Sequence, residues 1–208
     1  MIPDTLFRGY EALVAGADQA FRMMQDHHPS GVSCAPRCSD CCHAVFGLFL
    51  LEAVFLRYHF EKLDRKTRRQ ASLRADKAEK EMGRIINEAQ KGGVEQGSYS
   101  LEKAHVRCPL LDEAHECILY PYRPITCRVY GIPTAIQGKA HVCWKAKFEE
   151  EKSYPAFNFD EVNKELYHLS GELLQGMGGS DPSKATFLVS VSKAITTQTP
   201  DLIGKIFL

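Results

Sequence analysis

Eight cysteines in two blocks set the terms on which this chain can fold. Cys34, Cys38, Cys41 and Cys42 form a C-x3-C-x2-C-C run, and Cys108, Cys117, Cys127 and Cys143 follow in a second block. Thiols this dense either pair with one another or bind metal. Disulfide scaffolds are short secreted chains that cannot build a core. With 208 residues, 44% of them apolar, this chain can bury a core without cross-links, so its thiols call for another explanation.

Other features narrow the setting. The N-terminal MIPDTLFRGYEALVAG lacks a basic start, a sustained apolar run and a small-residue cleavage site, so no signal peptide is read and a reducing cytoplasm is expected. The most apolar segment, Ala44 to Phe60, is interrupted by Glu52, Arg57 and His59. It falls short of the ~20 apolar residues a bilayer span needs and reads as a buried element, with no membrane as partner. Lysine plus arginine equals aspartate plus glutamate, 26 against 26, so nucleic acid is not an expected partner. The basic run Lys62, Arg65, Lys66, Arg68, Arg69 and Arg74 and the acidic run Glu149, Glu150 and Glu151 read as solvated helix faces.

Apolar residues at three- and four-residue spacing, from Leu6, Tyr10 and Leu13 to Phe21 and Met24, predict an amphipathic helix over about Thr5 to Gln25. After Cys42 the apolar run is expected to start extended and to turn helical from about Leu51 to Leu63. Thr67 and Gln70 resemble a capping box for a long helix whose stripe of Ala71, Ala75, Ala78, Met82, Ile85 and Ala89 runs to Gly92. So small a stripe suggests close packing on the first or second helix. Gly93 to Lys103 reads as a loop.

In the second block, Cys108 to Leu111 and Cys117 to Tyr120 read as short extended pieces around the polar turn Asp112 to Glu116. Pro124 is placed to open a helical turn with Cys127 in it, where the helix dipole would favour a thiolate. Gln137 and Gly138 sit between two strand-like pieces as a hairpin turn. Asn158 and Glu161 resemble a cap before Val162, Leu166, Leu169, Leu173 and Leu174, an amphipathic helix ended by Gly176, Gly178 and Gly179. Asp181 and Pro182 are read as starting a last helix through about Thr197, although Val189 and Val191 also alternate like a strand.

The chemistry open to the cysteines is specific in kind. Zn2+ takes four ligands in a closed structural site, so eight thiols could fill two. Adjacent side chains point apart, so one of Cys41 and Cys42 is expected to serve a second ion or to stand behind the first. A 4Fe-4S cluster also takes four thiolates and, being wider than an ion, accepts ligands spread around a loop. Soft thiolates disfavour magnesium and calcium. C-x3-C-x2-C is also the spacing by which radical S-adenosylmethionine enzymes hold their cluster. Here, however, Cys34 follows a helix rather than a first strand, and Asp40 stands where that family has an aromatic. His43 and His141 are the nearest histidines, while Arg123, Arg128 and Lys145 would offset thiolate charge.

These blocks resemble the bacterial cysteine-cluster family of zinc- or iron-chelating domains, through Cys34, Cys38, Cys41 and Cys42, then CPLL, CILY, RPITCRVYG and finally Cys143. The resemblance implies metal or cluster binding by all eight cysteines. The pattern is also similar to that of flagellin lysine methylases, which implies an alternative: an S-adenosylmethionine-dependent enzyme with an iron-sulfur cluster and a protein substrate. A thiol redox sensor in which Cys41 and Cys42 cycle is a third reading. The expected architecture is mainly α and one domain. A helical scaffold from residues 5–25, 51–91 and 158–197 would carry a loop-dominated cysteine lobe, with a small hairpin, from 34–43 and 105–145.

Overall fold

The computed structural model describes residues 4–91, 104–179 and 181–202. The fold is mainly helical: α1 (Asp4–His27), α2 (Leu50–Glu61), α3 (Arg65–Lys91), α4 (Ile125–Val129), α5 (Phe159–Gly176) and α6 (Val191–Thr196). Short 3-10 turns lie at Asp40–Cys42, Tyr120–Tyr122 and Pro182–Thr186. A small sheet of β1 (Thr134–Ile136), β2 (Lys139–His141) and β3 (Phe157–Asn158) runs in the order β2-β1-β3. The expected loop from Gly93 to Lys103 lies outside the described residues. Among the described residues, no helix is long and apolar enough to cross a membrane.

The apolar run that follows the first cysteine block becomes the centre of the molecule. Leu50, Leu51, Ala53, Val54, Phe55, Leu56 and Phe60 of α2 are all buried, and α1, α5 and α6 pack around it. A helix apolar on every side needs such a sheath to leave water. α1 supplies Leu6, Tyr10, Ala17 and Met24, and α5 supplies Leu166, Leu169, Leu173 and Leu174, to the same core. Both sets are the stripes expected from spacing.

Several expectations are corrected. The cap of α3 is Asp64, three residues before Thr67; its carboxylate accepts the N–H groups of Lys66 at 2.9 Å and Thr67 at 3.0 Å. A short acidic side chain just outside the first turn reaches those orphan donors better than a residue already inside it. The alanine stripe packs chiefly on α6, with Ala71 and Ala75 fully buried, rather than on the first or second helix. The last helix is split. Asp181 caps only the 3-10 turn, and the chain then extends so that Leu48 and Val189 exchange both backbone hydrogen bonds at 2.8 Å. That long-range pairing overrides local helix propensity, and α6 restarts at Ser190, whose hydroxyl accepts the N–H of Lys193 at 3.0 Å.

The hairpin is found at its predicted turn. Gln137 and Gly138 both have positive φ, 50° and 73°, the mirror-image turn whose twist matches paired strands. β3 adds a parallel strand alongside β1, an element the sequence does not announce. Immediately after it, the Asn158 side chain caps α5 by accepting the N–H of Glu161, as the sequence pattern suggests.

Candidate metal centre

Backbone pairing brings the two cysteine blocks together. The Cys108 N–H donates to the Cys42 carbonyl at 2.7 Å, Val106 N–H to His43 at 3.0 Å, and Ala44 bridges His105. Leu111 bridges Cys117 across the Asp112 to Glu116 turn, so Cys108 and Cys117 are held on one ribbon. Cys127 lies in α4, which is capped by Pro124 at Ncap rather than begun by it. Cys143 follows β2, and beyond it Lys147 N–H bonds the Gly31 carbonyl at 2.8 Å, returning the chain to the start of the first block.

Buried polar contacts fix these segments to the scaffold. Arg128, buried in α4, donates to Asp18 of α1 at 2.7 Å, to the Arg123 carbonyl at 2.9 Å and to the Pro121 carbonyl. Glu52, in the first turn of α2, accepts from Tyr10 Oη, from Phe49 N–H and from Ile125 N–H, the first residue of α4. Burial pushes the Glu52 carboxyl up to about 7 although all three donors favour its charged form.

The eight thiols are all free and form one electrostatically connected group. Cys42 feels Cys41, Cys108 and Cys127; Cys127 feels Cys41, Cys108 and Cys117. Cys34 feels Cys38, Cys143 and Cys41. In these mutual charges Cys42, Cys108, Cys117 and Cys127 form an inner set and Cys34, Cys38 and Cys143 an outer one, and Cys41 acts on both. The Cys34 sulfur lies against Gly131 so closely that a Cβ there would fall 2.1 Å from Sγ. Only glycine leaves that room.

Cys34 is exposed as a residue, but its sulfur packs against Gly131 and this local loss of water pushes it up to about 11; burial pushes Cys108 up to about 12 and raises Cys117, Cys127 and Cys143 as well. Cys127 therefore contradicts the expectation of a thiolate favoured by its helix dipole: desolvation, with Cys41 and Cys108 nearby, outweighs the field of a helix only five residues long. Cys41 is the exception. Its neighbour Cys42 lowers it, against burial, to about 7, while Cys41 and burial raise Cys42. The two titrate as a pair.

Two cations face the thiols. Arg123, stacked on the Tyr120 ring at 4.0 Å, favours the charged form of Cys34, Cys41, Cys117 and Cys127. Lys145 sits near Cys38 and Cys143. Arg128 has instead the anchoring role described above. Of the two candidate histidines, His43 turns Nδ1 to the Ser39 carbonyl at 2.9 Å, and His141 stands on the exposed strand β2.

Asp40 and Glu52 are the site residues that sequence reasoning missed. Asp40 gathers the Cys143 thiol at 3.4 Å, the Trp144 Nε1–H at 3.1 Å and the Lys145 ammonium at 3.1 Å. Despite partial burial, hydrogen bonds from Lys145 and Cys143 hold its carboxyl below the usual range. Its position beside Cys41 was the one available signal. Glu52 was legible only as a break in the apolar run, the one acid between Ala44 and Phe60.

The donor set fits a thiophilic metal, because eight soft sulfurs are gathered with cations at hand. Among the described residues, however, no three Cys, His, Asp or Glu side chains already converge on a point that could hold an ion. No curated protein and no solved structure matches the chain. The model of the CxxCxxCC family, described as "putative zinc- or iron-chelating domain", matches residues 33–144, more than half of the chain, and spans all eight cysteines. This protein therefore belongs to the CxxCxxCC family.

Proposed function

We propose that the chain binds an iron-sulfur cluster through these cysteines, with Cys42, Cys108, Cys117 and Cys127 as its holders and Cys34, Cys38, Cys41 and Cys143 as a second thiolate set. The observation that supports this reading is the number of thiols and the separate segments that bring them: the Cys108 N–H to Cys42 carbonyl bond joins the two blocks, Cys117 comes from the far side of the Asp112 to Glu116 turn and Cys127 from α4. A cluster, wider than a single ion, accepts ligands spread over such segments. When bound, such a cluster supplies electron transfer or a site for a cofactor. The chain's own residues do the rest: Arg123 and Lys145 offset thiolate charge, Glu52 and Arg128 hold α4 in place, and Asp40 orients the segment after Cys143.

The test is the visible spectrum with iron, sulfide and zinc content of protein purified without oxygen. A coloured sample with about four irons per cluster supports the reading. A colourless sample with zinc replaces it by zinc chelation, and a folded sample with neither metal overturns both. Titrating S-adenosylmethionine into the loaded protein tests the modifying-enzyme alternative, which no binding would remove.

A redox role for Cys41 and Cys42 is the second reading, favoured by their adjacency in the chain and the lowered Cys41. A bond between adjacent cysteines closes a strained small ring and is easily reduced. Mass spectrometry of freshly isolated protein that finds both thiols reduced or metallated removes it.

A further inference from the structure

We infer that the cleft between the end of α2, the start of α3 and α6 is a binding site for a phosphate-bearing small molecule, separate from the cysteines. Its cavity of about 400 Å³ is lined by Arg57, Arg65, Arg68 and Arg69, with Phe60 and Ile195 among the other walls. Four arginines from two helices line it, and the lining contains no carboxylate.

The pairing of these groups shows which are available. Arg57 is occupied: it binds Glu61 at 2.8 Å and the Ile195 carbonyl, which ties α2 to α6. Among the described residues, Arg65, Arg68 and Arg69 form no ion pair. Arg68 Nε is in addition buried without a hydrogen-bond partner. A buried guanidinium N–H left unpaired is costly, and like charges crowded around a cavity repel. One anion with several oxygens relieves both.

Guanidinium forks match phosphate oxygens two at a time. Arg65 is the first residue of the 27-residue helix α3, but the N–H groups at that end are taken by Asp64, so recognition falls to the arginine side chains. Phe60 and Ile195 offer an apolar surface to whatever carries the phosphate. The basic run that reads from sequence as a solvated face is, on this placement, partly the lining of a site.

The experiment is calorimetric titration of the full chain with pyrophosphate, alongside sulfate and sodium chloride at matched ionic strength. Saturable pyrophosphate binding is expected, weakened at least about tenfold in Arg65→Gln/Arg69→Gln and in Arg68→Gln. Arg65 and Arg69 are exposed, so the double variant should keep the wild-type circular dichroism and metal content. Pyrophosphate that acts no differently from sodium chloride, or that binds the folded double variant as tightly as wild type, overturns the inference. Because no lining residue belongs to the cysteine group, either result is independent of which metal the thiols hold.

Discussion

The Glu52 carboxylate accepts the backbone N–H of Ile125 at 3.3 Å, so a buried acid in the first turn of the central helix holds the first residue of the cysteine-bearing α4. The contact joins the core to the candidate centre.

That acid gives the fold a pH signature. Its carboxyl titrates near 7 when folded and near 4.5 when unfolded, so over that window the unfolded chain has released a proton that the folded one retains. Stability contributed by this group is present at the acid end, falls as pH rises through the window and is level above it, by up to about 3 kcal/mol. Urea unfolding of Glu52→Gln should lack this slope, while Glu52→Ala should be less stable throughout because two backbone N–H groups lose their acceptor. An unchanged slope in Glu52→Gln would refute the assignment.

Replacing Arg128 by alanine should cost about 2 kcal/mol or more, since it leaves the Asp18 carboxylate only Arg123, at 3.9 Å, and two carbonyls without their donor. Lysine should recover only part of this, because one ammonium cannot reproduce the three-way fork. Denaturant midpoints of the two variants check the ranking.

Gly131→Ala should separate metal binding from folding. The new methyl group collides with the Cys34 sulfur, which sits on a short, exposed side chain and can rotate away. Thermal stability of the metal-free protein should change by less than about 1 kcal/mol. Metal content attributable to the outer set should fall, as measured by elemental analysis beside Cys34→Ser.

Stripping the metal should loosen the cysteine segments and spare the scaffold. Leu6, Tyr10, Ala17, Leu56, Leu166 and Leu173 lie in one core supplied mainly by the long helices, against which only Cys108 and Cys117 of the thiols pack. Far-ultraviolet circular dichroism should therefore keep most of its helical signal after chelation, while proteolysis should become faster between residues 34 and 43 and around 143. Global unfolding on chelation would show that the metal supplies stability to the whole chain.

What could be read from the sequence was local. The stripes of α1 and α5, the cap at Asn158 and the turn at Gln137 and Gly138 each depend on residues a few positions apart. The cysteine group was legible as chemistry because its residue type permits few roles. What could not be read depends on distant partners: the Leu48 to Val189 pairing that splits the last helix, the grip of Glu52 on Ile125, and the desolvation that overrides the helix field at Cys127. Asp64 displaced the capping box at Thr67 for a different reason, since both patterns are plausible locally and only geometry chooses.

Trp144 offers its indole N–H to Asp40, next to Cys143, and it is the only tryptophan in the chain. Its emission therefore comes from one place. Any event that moves Asp40 or fills the neighbouring thiol set will register as a change in colour or brightness against a dark background. The protein carries its own optical gauge, and occupancy can be followed in real time without attaching a dye.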